Sequence, residues 1–153
     1  MAHVMRTRVR WADTDQAGIA HFPKYFDWFV QAEMELFRES GKTRKRMNAD
    51  FGVDEPRLSI TCDFFSPAFE DDMIEIRTAV LNISKKSYHL RCEVHRVEDG
   101  VHLATGEMIA CCVQPQEDGR IRSHPLPDEM LAALKRYLVS PEGGGSSQGQ
   151  DTP

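Results

Sequence analysis

Trp11-Ala12-Asp13-Thr14-Asp15-Gln16-Ala17-Gly18-Ile19-Ala20-His21-Phe22-Pro23, with Lys24-Tyr25 directly after, is the stretch on which the fold of this chain turns. Upstream of it, Arg6, Arg8 and Arg10 alternate with Thr7, Val9 and Trp11, the period-two pattern of a half-buried strand. Downstream, Phe22, Phe26, Phe29, Val30 and Phe37 recur at three- and four-residue steps. Tyr25, Trp28, Ala32, Met34 and Leu36 widen that stripe, so the spacing predicts a helix from Pro23 to Ser40, apolar almost all round and therefore buried. Pro23 suits a first helical turn, where its missing N–H is not needed, and Gly41 suits the stop. Gly18 permits a tight bend. The quoted run is thus a turn that ends where a helix begins. It sets Asp13 and Asp15 beside free backbone N–H groups. A carboxylate next to preorganised N–H donors suits acyl transfer, where a base or nucleophile attacks and an oxyanion must be held.

Beyond the helix the chain reads as strands. Lys42 to Arg46 is a basic run, expected as a solvated loop or helix end. Leu58, Ile60, Cys62 and Phe64 alternate with Arg57, Ser59, Thr61 and Asp63. Met73 to Ile83 is a long strand, and Tyr88, Leu90, Cys92 and Val94 mark another. Glu98-Asp99-Gly100 is a hairpin turn into a long strand from Val101 to Gln114. Glu117-Asp118-Gly119 turns into a short strand near Ile121. A final helix follows Pro127, with Asp128 as its expected N-cap and Met130, Leu131, Leu134 and Leu138 on one face. One apolar helix followed by antiparallel hairpins is an α+β arrangement in which a curved sheet wraps the helix. Residues 1–140 form a single domain on this reading. Residues 141–153, rich in Gly and Ser, read as a disordered tail.

Composition narrows the function classes. The chain has 153 residues, enough for one real core. Lys and Arg total 19 against 24 Asp and Glu, a net charge of −5, which argues against a general nucleic-acid binder. No apolar run approaches the roughly 20 residues of a spanning helix, and no signal peptide is visible, so a cytoplasmic protein is the expectation. Cys62, Cys92, Cys111 and Cys112 form no Cys-x-x-Cys pair. They read as small strand residues in a reducing compartment, and no metal site is expected.

The chain resembles the hotdog-fold acyl-CoA thioesterases of the 4-hydroxybenzoyl-CoA thioesterase family. The resemblance rests on Val9 to Ile19, on Phe22-Pro23-Lys24-Tyr25, on Phe65-Ser66-Pro67-Ala68 before Asp71-Asp72, and on Lys85-Lys86-Ser87-Tyr88 entering a strand. It implies a hotdog fold: an antiparallel curved sheet around one long buried helix, with a short C-terminal helix. It implies that Asp15 attacks the thioester carbonyl or activates a water to do so. It places the carbonyl oxygen at the backbone N–H of Phe22. His21 would position substrate or solvent, and Asp13 would be the scaffold of the turn. Tyr25, Val30, Lys85, Lys86 and Ser87 are the implied substrate contacts, the lysines meeting the phosphates of coenzyme A. Arg120 and Arg122 are weaker candidates for the same task. No cofactor is implied, since coenzyme A is part of the substrate. The implied assembly is a homo-oligomer, a dimer or a dimer of dimers, with the site between subunits.

One departure bears on the acyl group. Enzymes specific for 4-hydroxybenzoyl are expected to carry an acid on the long helix for the ring hydroxyl, and that position here is Val30. An unmet buried polar group costs about 1–3 kcal/mol. A benzoyl ring or an alkyl chain suits Val30 better. Two other readings remain at this stage: an enoyl-CoA hydratase using Asp15 and His21, and a non-catalytic acyl-CoA-binding module.

Overall fold

A computed structural model describes residues 1–140; the expected tail at 141–153 lies outside the described residues. The alternating segments pair into one antiparallel sheet in the order β1-β3-β4-β5-β2. Its strands are β1 (His3–Arg8), β2 (Arg57–Phe64), β3 (Met73–Ile83), β4 (Ser87–Arg96) and β5 (His102–Cys111). A separate ribbon pairs β6 (Val113–Pro115) with β7 (Ile121–Ser123). The helices are α1 (Pro23–Glu39), α2 (Arg44–Phe51) and α3 (Asp128–Lys135).

α1 lies on one face of the sheet, as the sequence pattern predicts. Phe29, Ala32, Leu36 and Phe37 share a buried cluster with Ile74 and Ile76 of β3, Leu90 and Val94 of β4, and Met108 of β5. Gly106 on β5 makes the closest approach possible. A side chain there would enter the Phe29 ring, with its Cζ only 2.7 Å away. Register shifts at Arg57/Ser59, Val80/Asn82 and Val94/His95 bend the strands, which lets the sheet curve round the helix.

Several expectations are corrected. The first strand ends at Arg8, not Trp11. The Asp13 carboxylate draws back the Arg10 N–H at 2.8 Å and curls Trp11–Asp13 into a 3-10 turn, leaving Trp11 77% exposed. α1 is not apolar all round: Asp27, Gln31 and Arg38 are exposed, and Phe26, Val30 and Met34 are half-buried. The sheet covers only one side of it. Its buried face even holds Glu33, whose carboxylate is met by Arg57 of β2 and the Tyr88 hydroxyl of β4. The basic run, expected as a solvated loop or helix end, does lie at a helix end, the start of the short helix α2, which the sequence pattern does not predict. The Thr43 hydroxyl caps it by accepting the Arg46 N–H at 3.2 Å, and Gly52 closes it in the left-handed region. The strand expected from Val101 to Gln114 breaks at Cys112, whose N–H donates to Lys86 O at 2.7 Å. Pro127, not Asp128, is the N-cap of α3, and Leu138 lies beyond that helix.

All four cysteines are free, two buried and two half-buried. Burial pushes the Cys62 thiol up to about 11 and the Cys92 thiol up to about 12, so both stay protonated and inert. Among the described residues, no helix is long and apolar enough to cross a membrane.

Candidate active site

The loop between β1 and α1 closes on itself. Thr14 bridges Ala20, the Asp15 N–H donates to Ile19 O at 2.9 Å, and the Gly18 N–H donates to Asp15 O at 2.9 Å. Gly18 sits at φ 78°, which glycine adopts without strain. Ala20 and Ile19 then pair with Ala68 and Phe69, so the loop is stitched to the segment after β2. Arg96 holds that segment from below through Pro67 O at 2.8 Å and the Asp72 carboxylate at 3.0 Å.

This frame treats the two aspartates differently. Asp13 is buried, and its carboxylate accepts the Arg10 N–H and guanidinium. Burial alone would raise its pKa; the Arg10 hydrogen bonds, with the charges of Arg10 and Lys24, outweigh this and hold it below the usual range. Asp15 uses one oxygen, Oδ1, to accept the Ala17 N–H at 2.8 Å. Its Oδ2 lies 3.9 Å from His21 Nδ1 at a half-open surface.

The start of α1 leaves one donor spare. Phe22 is the N-cap, and no side chain caps the helix. Pro23 has no N–H, Lys24 donates to His21 O, and Tyr25 donates to Phe22 O. Among the described residues, the Phe22 N–H alone of these finds no acceptor. Phe22 and Asp15 line one cavity of about 490 Å³, walled by Tyr25, Phe64, Phe65 and Pro67. Tyr25 is buried edge-on to Phe64 at 5.0 Å and to Trp28 at 5.1 Å. Burial, then nearby Cys62, pushes its hydroxyl up to about 12, so it stays neutral.

The structure therefore brings Asp15, Phe22 and Tyr25 together, with His21 at the rim. Val30 is half-buried against the core, outside this cavity. Lys85, Lys86 and Ser87 lie at the other end of the sheet. Met73 pairs with Arg8 near the Asp15 loop, whereas Ile83 is ten residues further along β3, about 33 Å at strand rise. There Lys86 Nζ donates to Ser123 Oγ at 3.0 Å, and Arg120 and Arg122 belong to the adjoining β6–β7 ribbon. Phe64 to Pro67 form a cavity wall to which sequence reading assigned no role. Its signals were the Phe64-Phe65 pair, which breaks the strand alternation, and the Phe65-Ser66-Pro67-Ala68 stretch of the family resemblance, to which no contact was tied. No group of three His, Cys, Asp or Glu residues stands close enough to hold a metal ion among the described residues.

Comparison with known proteins gives a consistent set. The family model of the thioesterase-like superfamily matches residues 9–134. The chain is 25% identical over 129 residues to the acyl-CoA thioester hydrolase YbgC of Escherichia coli O157:H7, covering 84% of this chain and 92% of that protein. It is 32% identical over 98 residues to the 4-hydroxybenzoyl-CoA thioesterase of Pseudomonas sp. strain CBS-3, covering 63% of this chain and 70% of that one. Among solved structures, the dynemicin thioesterase superposes with a TM-score of 0.84 at 20% identity, over 92% of this chain and 99% of its own.

Proposed function

The chain belongs to the thioesterase-like superfamily and is an acyl-CoA thioester hydrolase of the hotdog fold; from that premise we propose that Asp15 and the Phe22 N–H are its hydrolytic pair. The observation that carries this reading is the unpartnered N–H of Phe22, at a helix start that shares a cavity with a half-open carboxylate. The substrate is an aroyl-CoA of benzoyl or hydroxybenzoyl type, or a short- to medium-chain acyl-CoA. Asp15 Oδ2 adds to the thioester carbon, or takes a proton from the water that adds. The carbonyl π electrons move to oxygen, and the oxyanion accepts the Phe22 N–H, aided by the helix dipole. Collapse restores C=O and breaks the C–S bond. Coenzyme A leaves as thiolate; on the nucleophilic route water then hydrolyses the acyl–Asp15 anhydride, and on the general-base route collapse releases the acid directly and the proton held by Asp15 passes to the thiolate. His21 orients that water or the substrate from the rim. A donor of this kind contributes about 10²–10³ in kcat.

The coenzyme A end needs a second copy. β2 is an edge strand with Leu58, Ile60 and Phe64 exposed. Pairing two copies antiparallel along β2 sets the Arg57 end of one beside the Phe64 end of the other. Arg57 pairs with Ala110, and Ser87 pairs with Cys111, so the Lys85–Ser87 turn belongs to the Arg57 end. Lys86 of the partner subunit then stands at the Asp15 end, about three strand spacings or 14 Å to the side. Within reach of a bound coenzyme A, its ammonium meets the phosphates as a point charge.

Asp15→Asn tests the central assignment. The amide keeps an oxygen for the Ala17 N–H, so the turn survives. Thiol release from benzoyl-CoA and hexanoyl-CoA falls by about 10²–10⁴ in kcat. Turnover equal to wild type on both substrates refutes the role of Asp15.

A further inference from the structure

We propose that Phe65 sets the acyl preference of this site, selecting a flat aromatic acyl group, and that His102 is the positioning residue that holds its ring. This rests on the Asp15 reading above. The cavity beside Asp15 is walled by four rings, Phe22, Tyr25, Phe64 and Phe65. Three of them, Phe22, Phe64 and Phe65, are about half exposed or more, at 60%, 49% and 57%. Single exposed apolar residues are ordinary, but here three meet around one carboxylate, an apolar patch that fits an apolar ligand.

The walls differ in what fixes them. Tyr25 is set by the helix core and Phe64 by its contact with Tyr25. Phe65 is set from β5. Leu103 O accepts both the Phe65 N–H at 2.8 Å and the Ser66 N–H at 3.2 Å, which locks the backbone. The Phe65 ring lies tilted on the His102 imidazole, centroids 4.9 Å apart. His102 is itself held. Its Nε2 lies 2.7 Å from Thr105 Oγ1 and 3.1 Å from Ala104 O, and its ring stacks on His95 at 4.5 Å with 12° between the rings. The result is a ring on the segment after β2, pinned to the start of β5 and lining the cavity together with the helix start.

Aromatic rings attract an aromatic guest through edge and face contacts that a saturated ring or alkyl chain cannot reproduce. Each such contact gives about two- to tenfold in affinity beyond area alone. A rigid wall also loses little side-chain freedom when the guest enters. Phe65 is open to substitution, since its ring is exposed and lies outside the buried core.

The test uses benzoyl-CoA, cyclohexanecarbonyl-CoA of the same size, and hexanoyl-CoA, with kcat and KM measured for the full chain. Wild type favours benzoyl-CoA over both others by about tenfold or more in kcat/KM. Phe65→Ala compresses that preference to within about threefold, through KM with kcat little changed. His102→Ala moves the ratio part of the way, and His102→Phe, which restores a ring, returns it. A wild type without benzoyl preference, or a Phe65→Ala variant with an unaltered ratio, overturns the proposal. Asp15→Asn, run alongside, separates the two failures. If it is inactive while the Phe65→Ala ratio stays put, only the selectivity assignment falls; if it remains active, the site reading falls as well.

Discussion

Asp13 and Asp15 stand two residues apart in one loop, and their surroundings give them different work. Asp13 spends both oxygens on Arg10. Asp15 keeps Oδ2 out of any hydrogen bond within the described residues. The lowered pKa of Asp13 makes it a source of stability with a defined pH range. Its contribution is present above the unfolded value of about 3.9 and is lost as pH falls through the lower native value. Asp13→Asn is therefore expected to cost about 1–3 kcal/mol at pH 7. Its urea midpoint will fall less steeply than that of wild type below about pH 4, as chemical denaturation across pH will read. In the sequence the two acids looked alike apart from the family resemblance. The difference comes from Arg10, whose side chain folds back onto Asp13 once the strand stops at Arg8, and periodicity does not reveal that stop.

Among elements, α1 was the most legible. Seventeen residues of three- and four-step spacing leave little alternative to a helix. Its exposure was not legible, because a wide apolar stripe does not say how many layers will cover it. α2 was missed for the opposite reason: it has one buried anchor, Met47, and depends on caps at Thr43 and Gly52. The tightest joint between elements is the Phe29 ring against Gly106. Gly106→Ala is expected to displace that ring and cost about 1–3 kcal/mol by overpacking, visible as a lower thermal midpoint. The wall of the cavity arises at the same level. Phe65 is placed by Leu103 and His102 of β5, far away in sequence, so the local Phe65-Ser66-Pro67-Ala68 stretch could be noticed but its place at the cavity could not be read.

On the scale of the whole molecule, the sheet carries Asp15 at one end and Lys85–Ser87 at the other. That separation was invisible in the linear motifs, because it follows from the strand order. It makes the β2 edge the decisive surface for the proposed assembly. Ile60→Lys places a charge on that edge. Light scattering at micromolar concentration is expected to show a dimer for wild type and a monomer for the variant. The same change should raise KM for acyl-CoA about tenfold or more, in line with the loss of a charged contact to phosphate. The edge has a second consequence, for handling the protein. A strand with Leu58, Ile60 and Phe64 in the open and an unpaired row of N–H and C=O groups is a template for further strands of any origin. Arg57 and Asp63 are the only charges along it. A chain caught during refolding with this strand bare has open-ended polymerisation as the competitor to correct closure, so dilution should favour recovery of native protein and crowding should favour precipitate.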